Sequence, residues 1–391
     1  MKNNFFVLFC ILFLSNIGNS QNFKISKTIA DKMTKLPLEN VSISNDKDNS
    51  TTNKEGLFMF VSSKNEINFN LLGYNPIKTT FEGIEKKDTL FMEAKVLELK
   101  EVVISNVEPF MKKVYDKMAD NFIQNYTSNF FLRNVLKKDN DIIVLQDIHG
   151  KRGRNGSQKN PLEIEVSNMR KTSLFEKKNS IDFTLPSFNE FFTLTFPFPS
   201  NEKTNFTEVD YNDVDYKKIL FEDKVKDPRG QIHKGYFIIN KKDYAVVEFF
   251  FTGYNNPEVG PYQKFTLSST RFRTTKYEKL ERFTKNNVLN KYYLSSSKLI
   301  AQVEVMTDKK NGKTLYFDLL LDYFTTNAIT SENVESNFAV DKDIFKAKFP
   351  YSAEFWSNQN QLPLTSDLKE FLKRVSENKE KKKEFEIIGN F

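Results

Sequence analysis

The sequence predicts a mainly β protein, a small N-terminal β-sandwich followed by a large curved antiparallel β-sheet, half-barrel-like, with flanking helices. Three observations predict it. From Phe23 to Asn106, short alternating apolar runs are divided by turn signals at intervals of about 8 to 12 residues. After Lys217 the β-type runs lengthen and only a few turn residues separate neighbours. Phenylalanine is abundant, 39 of 391 residues against 12 Pro and 13 Gly, and such rings fill sheet cores.

The chain opens with Lys2, an apolar run from Phe5 to Leu14, and small or polar residues up to Ser20. This is the layout of a secretory signal peptide over residues 1–20. About 10 apolar residues are too few for the roughly 20 that a spanning helix needs. The sole cysteine, Cys10, lies inside that run behind Val7-Leu8-Phe9, where a lipoprotein signal wants small residues. A mature chain without thiols has no disulfides, no cysteine nucleophile and no thiolate metal site. Its stability must come from a core, and about 370 residues can build one or two. The charge of +7 comes from 58 basic and 51 acidic residues mixed along the whole length. Nucleic acid would want the basic residues on one face, so it is not an expected partner.

Residues 21–105 hold the sandwich. Val41 and Ile43 alternate with Ser42 and Ser44, as in a half-buried strand. Asn53-Lys54-Glu55-Gly56 makes a turn in which Gly56 can take a positive φ. Phe58 and Phe60 share a face of the next strand, and Gly73-Tyr74 ends another. Leu36-Pro37-Leu38-Glu39-Asn40-Val41, Thr52-Asn53-Lys54-Glu55-Gly56-Leu57-Phe58, Leu72-Gly73-Tyr74 and Leu99-Lys100-Glu101-Val102-Val103 follow in order. In this the stretch resembles the carboxypeptidase-regulatory-like domain of exported Bacteroidetes proteins, over about 80 of the 391 residues. The resemblance implies a transthyretin-like or immunoglobulin-like sandwich, an exported protein in the periplasm or at the outer-membrane periphery, and no peptidase activity. The Gly-rich plug of the receptors that often carry this module does not follow Asn106.

Residues 106–127 read as a helix joining the two parts, with Phe110, Val114, Met118 and Phe122 on one stripe and Met111, Tyr115 and Ala119 beside it. Residues 128–365 read as the curved antiparallel domain. Its expected strands are Phe130 to Leu136, Ile142 to Ile148, Leu162 to Val166, Ile219 to Phe221, Gly235 to Ile239, Tyr244 to Thr252, Phe265 to Arg282, Val288 to Ser295, Leu299 to Met306 and Thr314 to Phe324. Asp139-Asn140-Asp141 and Asn240-Lys241-Lys242-Asp243 are expected turns. Asn125-Tyr126, Phe131-Leu132-Arg133, Lys138-Asp139-Asn140 and Leu145-Gln146-Asp147 resemble a second region of Bacteroidetes proteins carrying the same first module, which implies no activity. In architecture alone the long strands resemble the curved sheet of periplasmic lipoprotein-carrier proteins. Between Ser157 and Asp215, Phe188, Phe191, Phe192, Phe196 and Phe198 stand close to Pro186, Pro197 and Pro199, which forbids a regular ladder. An aromatic loop over the end of a sheet is expected, and Phe191, Phe192, Phe196 and Phe198 are the candidate ligand contacts. Residues 366–391 read as a C-terminal helix and tail, with Leu368, Phe371, Leu372 and Val375 on one face and Asp367 with Glu370 as a capping box.

Catalytic patterns are scarce. His149 and His233 are the only histidines, neither lies in a zinc motif, and no Gly-x-Ser-x-Gly elbow occurs. Glu163, Glu165, Asp318 and Asp322 leave a carboxylate pair open, although alternate strand positions facing solvent are the simpler expectation. Gly150-Lys151-Arg152-Gly153-Arg154-Asn155-Gly156 lacks the ending of a phosphate loop and is expected at a hairpin tip, with anionic lipid or polysaccharide as its possible contact. The sequence therefore predicts no enzyme, no cofactor and no metal. It predicts a binding or assembly module of the envelope, with an apolar or lipid ligand in the concave sheet as the sharper version and outer-membrane proteins, lipid or glycan as candidate partners. The alternatives are a carboxylate-based hydrolase and a small outer-membrane β-barrel.

Overall fold

The computed structural model describes residues 22–96, 107–124, 126–154, 162–174, 186–193, 203–226, 230–254, 261–264, 270–306, 312–327, 333–378 and 385–391. The expected signal peptide, the Leu99–Val103 element, Asn155-Gly156, Phe196 and Phe198 lie outside them.

The N-terminal unit contains β1 (Phe23–Asp31), β2 (Ser42–Ser44), β3 (Asn49–Thr51), β4 (Leu57–Ser62), β5 (Glu66–Asn70), β6 (Ile77–Thr80), α1 (Phe81–Glu85) and β7 (Thr89–Met92). Two sheets, in the orders β4-β1-β7 and β3-β2-β5-β6, face each other. Ile29, Val41, Ile43, Phe58, Phe60, Ile67 and Phe69 are fully buried between them. The alternation of Val41 and Ile43 with serines, and of Phe58 and Phe60 with their neighbours, supplies that inner layer. Gly56 sits at φ 70°, and a Cβ there would lie 2.4 Å from the Ile29 carbonyl oxygen, so the turn requires glycine. Asn40 adopts the left-handed conformation at φ 62°, which asparagine tolerates, and this bends the chain just before β2.

The second unit begins with α2 (Glu108–Asn121) and continues through β8 (Tyr126–Lys138), β9 (Asp141–Arg154), β10 (Glu163–Leu174), α3 (Phe188–Thr193), β11 (Thr204–Val209), β12 (Tyr216–Asp223), β13 (Ile232–Asn240) and β14 (Val246–Tyr254). Then come β15 (Gln263–Lys264), β16 (Arg271–Asn286), β17 (Lys291–Met306), β18 (Thr314–Thr325), α4 (Ala353–Ser357), α5 (Ser366–Asn378) and β19 (Phe385–Ile388). The strands form one antiparallel sheet in the order β11-β12-β13-β14-β16-β17-β18-β8-β9-β10-β19, with β15 paired to β16. Two meanders, β8 to β10 and β11 to β18, are thus joined where β18 pairs with β8. The sheet stays open between β11 and β19, so these strands do not close a barrel.

Several elements differ from expectation for identifiable reasons. The two strands expected at Val288 to Ser295 and Leu299 to Met306 are one, β17, because Ser297 is buried and Lys298 pairs with Glu39 of the sandwich. Polar residues in mid-strand look like a break only when their partners are unseen. Gly150 to Arg154 belong to β9, and Gly150 to Gly153 are paired on both sides, so this part of the basic stretch is not a hairpin tip. The residues from Phe188 to Thr193 form a short helix, not an irregular loop. The expected free tail ends in β19, which pairs with β10, and hydrogen bonds from Lys171 and Lys348 hold the Glu386 carboxyl down to about 2. The Asp139-Asn140 turn is as expected, with both residues at positive φ.

Both faces of the sheet are covered. On β8 and β9, Leu132, Leu136 and Ile148 join the core beneath α3, whereas Val135, Ile142 and Leu145 pack against Leu368, Phe371 and Val375 of α5. α2 lies on β12 to β14 through Met111 and Val114, which touch Ile219, Phe237 and Phe249. The buried line of α2 therefore runs through Met111 instead of Met118. At the centre of the α5 face is a row of alternating charges, one per strand: Lys298, Asp322, Arg133, Asp147 and Arg170 stand opposite one another on β17, β18, β8, β9 and β10. Fully buried Asp147 accepts from Arg133 Nε at 2.8 Å and Nη2 at 2.8 Å, and from Arg170 Nη2 at 2.7 Å. Burial opposes its charge, but the two guanidinium groups outweigh that and hold its pKa below the ordinary value. Arg133 also donates to the carbonyls of Leu362 and Pro363, and Arg170 lies 4.3 Å from the Trp356 ring. The segment from Trp356 to Pro363 is thereby tied to the sheet. Asp147→Asn leaves two buried cations without their counter-charge, and urea denaturation should show a loss of about 3–5 kcal/mol.

Candidate functional site

The sandwich docks on the α5 face of the sheet through its edges. Asn360 places its side-chain amide on edge strand β4, accepting from Val61 N at 2.8 Å and donating to Val61 O at 3.0 Å. Edge strand β3 is met by Thr326, whose carbonyl accepts from Asn49 N at 2.8 Å. The Asn53-Lys54-Glu55-Gly56 turn faces the start of α5. Asn53 donates to Pro363 O, Lys54 pairs with Asp367 at 3.0 Å, and Glu55 accepts from Ser366 N at 2.8 Å. The carboxylate capping the first turn of α5 thus comes from the sandwich, and the expected Asp367 and Glu370 box is replaced by it. Edge strands expose unpaired backbone groups, and here both are met by the other unit.

Between the docked units lies a cleft of about 520 Å³. The sandwich contributes Asn40, Ser42, Asn49, Asn70 and Tyr74, and the sheet contributes Tyr216, Asn240, Phe283, Tyr292, Ser295 and Ser296. Charges in the lining balance: Lys95, Lys242, Arg282 and Lys285 stand against Asp213, Asp215 and Asp243, and Glu248 neutralises Arg282 from behind at 2.6 Å. Lys95 pairs with Asp213 across the seam, and Asp243 receives Lys285 at 2.9 Å and the Tyr292 hydroxyl at 3.0 Å. What remains for a guest is a surface of amides, hydroxyls and rings.

Beside it is a second pocket of about 320 Å³. Val135, Ile300, Leu320, Leu362 and Leu368 give it apolar walls, and Glu39, Lys298 and Asp322 stand at its border. Asp322, half-buried beside Lys298 in the charge row, has its pKa pushed up to about 6 by burial, which Lys298 offsets only in part.

The candidates from the sequence fall elsewhere. Phe191 is fully buried and Phe192 nearly so, projecting from α3 onto Tyr323 and packed on each other. Phe192 lies 4.5 Å from the guanidinium of buried Arg152. These rings fill the space a ligand on that face would take. His149 is fully enclosed against Phe355 and Trp356, and burial pushes its pKa down to about 3, so it is a neutral core residue. His233 stacks on Phe251 with Nδ1 2.8 Å from Asp223, at the far end of β13. Among the described residues no group of three His, Cys, Asp or Glu could hold a metal ion, and no helix is long and apolar enough to cross a membrane. Of the carboxylates singled out, Glu163 faces solvent and Glu165 accepts from Glu335 N, while Asp318 and Asp322 line the smaller pocket. The cleft residues escaped notice because they are serines and asparagines without a motif. Serine and asparagine recur along the whole chain, so Ser42, Ser44, Asn49, Ser295 and Ser296 carry no distinguishing signal.

Compared with models of known protein families and with curated proteins, the chain matches none.

Asp322 sets a testable pH dependence. Its folded pKa lies above the ordinary 3.8, so the folded state binds the extra proton. The resulting stability is fully present below about pH 4 and is lost as pH rises through about 6. Relative to wild type, Asp322→Asn should therefore gain up to about 3 kcal/mol between pH 4 and pH 7.5, read from denaturant midpoints at both values.

Proposed function

We propose that this protein is a non-catalytic binding module of the bacterial cell envelope, holding a neutral polyhydroxylated ligand, a glycan, in the cleft between sandwich and sheet. The observation that carries this reading is the lining. Its charges balance in number and Lys95, Arg282 and Lys285 are held in ion pairs, and its remaining groups are largely amides and hydroxyls that can both donate and accept. The tyrosine and phenylalanine rings add flat apolar surfaces with polar rims, suited to the faces of sugar rings. Position supports the reading too, since ligand sites favour domain junctions and volumes of about 300–1,000 Å³. The signal-peptide layout and the resemblance to an exported envelope module support the location. A carboxylate-based hydrolase is less favoured, because Asp213 and Asp243 are engaged by lysines and the Tyr292 hydroxyl.

The test is calorimetric titration of the mature chain with neutral gluco-, manno- and chito-oligosaccharides. At least one series should bind, and Ser296→Trp, which places a ring in the cleft, should weaken it tenfold or more with an unchanged melting temperature. Absence of binding by all three, or binding indifferent to both Ser296→Trp and Ser42→Trp, would refute the assignment.

A further inference from the structure

The two pockets are neighbours along one seam, and the same three chain segments line both. On β17, Ser296 faces the cleft and Lys298 the smaller pocket; on β18, Phe324 and Asp322 divide in the same way. Residues two apart on a strand point to the same side, so one pleat repeat of about 7 Å separates the compartments. In the sandwich, Asn40 belongs to the cleft and Glu39 to the smaller pocket. Where the two linings adjoin, Glu39 of the sandwich pairs with Lys298 of β17 across the seam, on the side of the smaller pocket. No backbone element needs to move for this pair to part, since both are long side chains with rotatable stems.

The compartments differ in chemistry. The cleft offers amides, hydroxyls and balanced charge, and the smaller pocket offers an apolar surface of Ile300, Leu320 and Leu368 with Lys54, Arg133, Lys137, Asp318 and Asp367 also in its lining. Two adjoining compartments, the smaller one the more apolar, match one ligand with a polar end and an apolar end. We propose that they form a single site for an amphiphile, a neutral glycan head carrying an alkyl chain, with the head in the cleft and the chain passing the Glu39–Lys298 pair into the smaller pocket. This rests on the glycan reading of the cleft and adds the class of ligand. Each buried methylene favours binding by up to about 0.8 kcal/mol, so a chain in the smaller pocket should be visible in affinity.

The experiment titrates the mature chain with maltose, with decanol and with dodecyl maltoside below its micellar concentration. One dodecyl maltoside should bind per chain, at least tenfold tighter than maltose, and both maltose and decanol should displace it. Leu320→Trp should reduce its affinity to that of maltose while leaving maltose binding intact, and Ile300→Phe provides a milder filling should the first variant fold poorly. Maltose bound as tightly as dodecyl maltoside overturns the two-compartment site and leaves the glycan reading standing. Dodecyl maltoside that decanol displaces but maltose does not also overturns it, since the chain alone is then bound. Binding of neither glycoside overturns the two-compartment site, and the glycan reading then stands or falls with the manno- and chito-oligosaccharide titrations.

Discussion

One buried carboxylate, Asp147, carries more of this structure than any other group. Held between Arg133 and Arg170, it keeps two guanidinium groups inside the α5 face of the sheet, where neither could remain uncompensated. The arginines then have donors to spare, and Arg133 uses them on the carbonyls of Leu362 and Pro363. That segment in turn presents Asn360 to Val61 and Pro363 to Asn53. The position of the sandwich, and with it the cleft, follows from a charge pattern whose centre, Asp147 and Arg170, lies outside the lining of both pockets.

The opposite face manages its buried charge differently. Arg152 is enclosed by the rings of Tyr126, Phe192 and Tyr323 at 4.5–5.5 Å, and the Tyr126 hydroxyl accepts one of its hydrogen bonds. Ring faces offset part of the cost of a desolvated cation. Lys279 is likewise buried, pairing with Glu281 at 3.0 Å and donating to the Phe191 carbonyl, which fastens α3 to the sheet. Phe191 and Phe192, singled out in the sequence, are therefore packing around buried cations. Polar surface suited to a guest is found on the other side of the sheet, at the seam.

Much of the build was legible. Alternation located Val41, Ile43, Phe58 and Phe60, and Gly56 marked a turn whose geometry admits no side chain. The face of α5 was correct because Leu368, Phe371 and Val375 repeat with the helical period. Errors fell where a charge has a distant partner: Lys298 looked like a break in a strand, and Arg152 looked like part of an exposed tip. A buried ion pair leaves no local signature, since its partners lie on different strands. The cleft was invisible for the related reason that Asn40 and Ser296 are 256 positions apart in a chain of 391.

By itself, the sequence determined the local layer of this protein: its β class, the turns at Gly56 and Asn140, and the apolar faces of its strands and helices. Period and turn chemistry act over a few residues and are written directly in the chain. Tertiary structure alone decided that β8 joins β18, that the last strand closes on β10, and that Glu39 meets Lys298 between two unlike pockets. Those outcomes depend on which charges and edges find one another across hundreds of residues, and no short-range pattern contains that information.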